Sequence, residues 1–222
     1  TDGETPVDST DPSVGDDTPV VSIEATDGKA IEAIDNTLIF TVTQNNISDF
    51  DTTVTVILGT SSDIDAADIK SISYINADGK EVTLSTPAQI QAFFEKGDKV
   101  TIPAGSKNAP AINVTVAPDA VYEKSEDMTF EISSPINATL GTTSATGTIL
   151  DQSSNTTNPG DGSGTEGDKP TVVVSDAEIT EGGNLEHTVT LSNPTQTVVT
   201  YPFELKDGSA VVGEDYRNAP KF

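Results

Sequence analysis

The sequence predicts an all-β chain: an immunoglobulin-like antiparallel sandwich with a small hairpin-plus-helix insertion, followed by an incomplete second sandwich. Three observations predict it. Apolar and polar residues alternate in short runs, as at Ile112, Val114 and Val116 and again at Met128, Phe130 and Ile132, which is the period of strands buried on one face. Seven such runs, near 20–26, 37–43, 53–58, 99–103, 111–117, 128–134 and 145–150, are separated by turns. After a gap in the pattern, the opening of the same arrangement returns.

The boundaries follow from composition. Residues 1–18 hold six acids, no base and almost no apolar side chain, and read as an extended acidic linker. Residues 19–152 form the first sandwich. Residues 153–169 (SSNTTNPGDGSGTEGDK) repeat the linker character, and 170–222 resume the strand pattern. The two patterned regions start alike. Each has a proline (Pro19, Pro170), a β-branched run, a glutamate after a short turn (Glu32, Glu181) and an alternating strand. Linker plus domain is therefore the repeating unit. The chain lacks an initiator Met and is expected to be a fragment, with the second copy ending at Phe222 after its first three strands. Strands without partners are expected to be poorly ordered alone or to pair with another chain.

The insertion has its own signals. SISYINADGKEVTL (71–84) reads as a hairpin turning at Asp78-Gly79. A short helix follows, with Thr86 as cap, Pro87 at the first position and Gln89 completing the capping box. Ile90, Phe93 and Phe94 make its apolar face, and Gly97 ends it.

Charge restricts the function classes. Thirty-six acids against 11 bases give a formal charge of -25. That surface repels nucleic acid and anionic membranes, and it destabilises its own fold unless cations neutralise it. No segment has the length of a membrane span, so no membrane insertion is expected. Cysteine is absent, which excludes disulfides and thiolate chemistry.

Successive loops of an antiparallel sandwich alternate between its two ends. This counting brings four acidic segments to one end: the loop with Glu32, the loop with Asp63, Asp65 and Asp68, the loop with Asp119, Glu123, Glu126 and Asp127, and Asp151 after the last strand. Crowded carboxylates raise one another's pKa, and a hard cation removes that penalty. Calcium takes six to eight oxygens in flexible geometry, whereas zinc asks for the His or Cys that the first unit lacks. Calcium is the best candidate. Spacing alone leaves open the alternative that these acids only populate the loops of an acidic protein.

VTIPAGS (100–106), DAVYEKSEDMTFEIS (119–133) and ATLGTTSATGTILD (138–151) together resemble the Calx-β family. They are closer still to the Calx-β-like repeats of giant biofilm adhesins of the RTX type in bacteria. LEHTVTLSNP (185–194) and GSAVVGEDY (208–216) resemble the opening half of a standard module. The resemblance implies a seven-stranded sandwich binding calcium in loops at one end. Carried over by residue, it implies ligands at Glu32 and Glu181, at Asp215 of the Gly-x-Asp-Tyr motif, at Asp65 or Asp68 where that motif is degenerate, at Asp119, Glu123 and Glu126, and at Asp151. Pro118 and Gln152 stand where the family often has further acids.

The resulting expectation is a non-enzymatic, calcium-binding extender repeat of a secreted or cell-surface bacterial adhesin, serving adhesion and biofilm formation. Its partners would be calcium, neighbouring repeats, and a host or biofilm surface. The alternatives are a module that itself grips a glycan or protein, and an accessory domain of a secreted enzyme. Catalysis finds little support: the only histidine, His187, sits in a strand pattern, and a sugar cleft would want aromatic platforms that a chain without Trp does not supply.

Overall fold

The computed structural model describes residues 17–32, 35–150, 169–196, 198–204, 206 and 209–217. In the first unit, strands β1 (Val20–Asp27), β2 (Lys29–Ile31), β3 (Thr37–Gln44), β4 (Thr52–Leu58), β5 (Ile69–Ile75) and β6 (Glu81–Leu84) precede helix α1 (Pro87–Lys96). Strands β7 (Asp98–Ile102), β8 (Ile112–Val116), β9 (Glu126–Ile136), β10 (Thr139–Leu140) and β11 (Ser144–Leu150) follow it. They form two sheets in the orders β10-β1-β3-β8-β5-β6 and β2-β11-β9-β4-β7.

Alternation decides which side chains enter the space between the sheets. Along β3, Leu38, Phe40 and Val42 point in and are essentially inaccessible, while Ile39 and Thr41 between them are half-exposed. Val54 and Val56 do the same on β4, Ile112, Val114 and Val116 on β8, and Met128 and Phe130 on β9. All seven anticipated strands are present. The first splits in two: β1 pairs with β3 in one sheet, the chain crosses at Gly28, and β2 pairs in parallel with β11 in the other.

The insertion is more deeply integrated than a hairpin appended to a finished sandwich. Its first arm, β5, pairs with β8 and buries Ile69, Ile72 and Tyr74. The turn closes as expected: Asn76 Oδ1 accepts from Asp78 N and Lys80 N, and Gly79 takes φ 71°. The capping box on α1 is complete, with Gln89 N donating to Thr86 Oγ1 (3.3 Å) and Gln89 Oε1 accepting from Thr86 N (3.3 Å). Ile90, Phe93 and Phe94 are buried. Phe93 lies edge-on to Phe130 (5.8 Å between centroids), which lies edge-on to Phe40 (4.8 Å), and Tyr74 packs against Phe93 in a tilted contact (5.3 Å). One aromatic row thus joins both sheets to the helix.

In the second unit the described residues form one small antiparallel sheet, β12 (Val172–Val174) with β13 (Val189–Leu191). Val173, Val189, Val198 and Phe203 stay more than half exposed.

Candidate metal centre

Two loops and the start of β9 build the site. The loop after β4 and the loop after β8 lie at the same end of the sandwich and are tied together, because Ala117 N donates to Asp68 O (2.8 Å). A second tie runs between the first of these loops and β9: Asp63 N donates to Asp127 O (3.1 Å), and Asp127 N donates back to Asp63 Oδ1 (2.5 Å). The loop Asp63–Asp68 is folded by its own carboxylates. Asp65 Oδ1 accepts from Ala67 N, and Asp68 Oδ2 accepts from Asp65 N. Asp119 likewise closes a turn by accepting from Val121 N (2.7 Å).

These constraints bring Asp68, Glu123 and Glu126 together, each offering a carboxylate oxygen within 4.8 Å of the others. Glu126 is the most buried of the three, at 8% exposure. Burial is the main cause that pushes Asp68 above the ordinary carboxylate range, and the charges of Asp65 and Asp119 add to it. Hydrogen bonds from Asp65 N and with Glu126 work in the opposite direction without cancelling the rise. Glu126 is raised too, first by burial and then by the charges of Asp68, Asp63 and Asp65, against the relief given by an amide donor on Gln196. The centre therefore holds more negative charge than its surroundings solvate.

The remaining anticipated residues fall in three groups. Glu32 and Asp119 belong to the rim of the centre: Glu32 is buried (5% exposed), its Oε2 accepts from Asp119 N (3.4 Å), and the charge of Asp119 acts on Asp68. Asp65 is close enough to act on both raised carboxyls. Asp151 lies outside the described residues. Glu181 and Asp215 lie in the second unit. Glu181 is exposed in a turn, Asp215 Oδ2 accepts from Val211 N (2.9 Å), and neither joins a cluster of three potential ligands among the described residues.

Two contributors had not been singled out as site residues. Asp63 acts on Glu126, and its place in the acidic loop was the available signal. Gln196, from the second unit, donates through Nε2 to Glu126 Oε1 (2.8 Å). Nothing local in the sequence marks it. His187 Nδ1 lies 2.7 Å from Ser175 O across the β12–β13 sheet, a structural contact.

Among the described residues the donor set consists of the carboxylate oxygens of Asp68, Glu123 and Glu126, with no histidine or cysteine in the cluster, which matches a hard divalent cation. Fold and site together define an antiparallel β-sandwich with an acidic cluster built from the loops at one end. The chain belongs to the Calx-beta domain family: the family model matches residues 40–153 and again 166–221. Similar solved structures include CBD12 from CALX1.2 (15% identity, TM-score 0.38) and the apo form of the Calx CBD1 domain (17% identity, TM-score 0.35). The first alignment covers 59% of this chain and 44% of that one, the second 60% and 97%. The calcium-binding domain CBD12 of CALX1.1 is also similar (13% identity, TM-score 0.35, 59% of this chain and 44% of that one). The chain thus spans less than half the length of either CBD12 structure. No curated protein sequence matches it.

Proposed function

We propose that the first sandwich binds calcium through Asp68, Glu123 and Glu126, with Asp65, Asp119, Glu32 and Asp151 available to complete or surround the ion. The observation that carries this reading is the pair of raised, partly buried carboxyls, Asp68 and Glu126, converging with Glu123 at the acidic end. Without a cation, such a cluster must take up protons or bear repulsion in a poorly solvated place. Calcium offers a divalent charge and a flexible coordination shell to the same oxygens. The family supports this choice of ion, since a similar structure is described as a calcium-binding domain.

The wider role we propose is a stiff, non-catalytic repeat in an adhesin displayed or secreted by a bacterium, extending the chain between a cell and a host or biofilm surface. Two family matches on one chain and the acidic stretches before each unit support a row of beads. Calcium, plentiful outside cells, would stabilise each bead: a ligand at a hundred times its dissociation constant adds about 2.7 kcal/mol.

Calorimetric titration of the full chain tests the site. Calcium should give a saturable heat that magnesium does not reproduce and that disappears in the Asp68→Asn, Glu126→Gln double variant. Equal heats for the two ions, or an unchanged calcium isotherm in the variant, would count against this assignment.

A further inference from the structure

The two units share a feature at the level of single hydrogen bonds. In the first, the residue after β3 is pinned to the start of β1: Asn45 N donates to Val20 O (3.1 Å), and Val20 N donates to Asn45 Oδ1 (2.7 Å). In the second, Ser192 N donates to Thr171 O (3.0 Å), and Thr171 N donates to Ser192 Oγ (2.9 Å). In both, the pinned residue follows a proline, Pro19 or Pro170. The loops that leave these pins are therefore equivalent, and Ser48 and Asp49 occupy the places of Thr195 and Gln196.

The second unit's loop is seated on the first unit's acidic loop. Tyr122 N donates to Pro194 O (3.1 Å), Gln196 N donates to Tyr122 O (3.1 Å), and Tyr122 bridges Thr195 in parallel. The equivalent loop of the first unit lies at the opposite end of its sandwich from the acidic cluster, and there Ile47 and Phe50 are each 59% exposed. We infer that the loop Asn45–Asp51 is a docking edge for the acidic loop, residues 117–125, of another copy of this sandwich. The contact would repeat the Tyr122–Thr195 bridge as Tyr122–Ser48, with Tyr122 N donating to Ile47 O and Asp49 N to Tyr122 O in place of the bonds to Pro194 and from Gln196.

One substitution distinguishes the two contacts. Gln196 donates to Glu126, whereas Asp49 brings a further carboxylate to the same cluster. The proposed contact therefore needs a cation that the existing one does not. The inference rests on the repeat reading of the chain, and only this cation dependence rests on the calcium reading.

The chain has no cysteine, so an engineered pair reports without background. Bridged residues on neighbouring strands lie ~5 Å apart, within disulfide reach. The test protein is the 222-residue chain preceded by a second copy of its residues 1–169. It carries Tyr122→Cys in the leading copy and Ser48→Cys in the following one. The reference is the natural chain with Tyr122→Cys and Thr195→Cys. Cross-linking in millimolar calcium at a rate within a few-fold of the reference is the expected result, as is cross-linking in EDTA once Asp49→Gln is added to the following copy. Cross-linking only in the Asp49→Gln protein would uphold the docking edge and count against the calcium reading. No cross-link in either, with the reference closing normally, would overturn the inference. So would a reference that does not close, because the contact on which it is patterned would then be absent.

Discussion

Gln196 Nε2 donates a 2.8 Å hydrogen bond to Glu126 Oε1, joining the second family-matched stretch to the acidic cluster of the first. The contact is polar and local. Its backbone part is the short ladder between Tyr122 and Pro194–Gln196. The amide is also the largest influence that holds Glu126 down against burial and neighbouring charge.

Gln196→Ala should therefore raise the Glu126 carboxyl further and loosen the second unit on the first. Carbon-detected NMR titration of the glutamate carboxyls, together with amide exchange at Tyr122, would show it. An unshifted Glu126 titration and unchanged protection at Tyr122 would mean that the contact contributes nothing in solution.

Stability of the ion-free chain should depend on pH with a definite sign. Asp68 and Glu126 are raised in the fold above their ordinary values, so the folded state holds protons that the unfolded state has released. Their contribution is fully present below the ordinary carboxylate range and is lost as pH rises through their raised values. In EDTA, denaturant midpoints should fall over that window, and the fall should be smaller in Asp68→Asn, Glu126→Gln. A slope identical in the double variant would assign the effect to the general charge of -25 instead.

The helix in the insertion offers a test of packing. Gly97 ends it at φ 66°, and a Cβ there would collide with Val56 O on β4. Gly97→Ala should cost more than ~2 kcal/mol, combining left-handed strain with a backbone clash. Thr86→Ala removes the cap and should cost about 1 kcal/mol. Urea unfolding of the full chain measures both, and a Gly97→Ala cost no greater than that of Thr86→Ala would contradict the packing described for α1.

What the sequence made legible was whatever is encoded by local period and local caps. Alternation at Leu38, Phe40 and Val42, or at Met128 and Phe130, identifies strands because burial on one face leaves no other pattern. Thr86, Pro87, Gln89 and Gly97 set the helix limits because each satisfies a terminal backbone requirement. Loop alternation was enough to bring Asp68, Glu123 and Glu126 to one end. It could not rank them, since which carboxyl is buried depends on packing rather than spacing. The change of sheet at Gly28 and the role of β5 as a full sandwich strand were hidden for the same reason: both depend on which strand is the neighbour. Gln196 was illegible because its partner is 70 residues away on another unit.

Thermal unfolding of the full chain in EDTA, in millimolar calcium and in millimolar magnesium is the sharpest probe of calcium binding by the first sandwich. The main transition should rise clearly with calcium and little with magnesium, and the calcium effect should be lost in the Asp68→Asn, Glu126→Gln variant. Superimposable transitions in all three conditions would contradict it, leaving the acidic end of the sandwich as a charged surface without a bound ion.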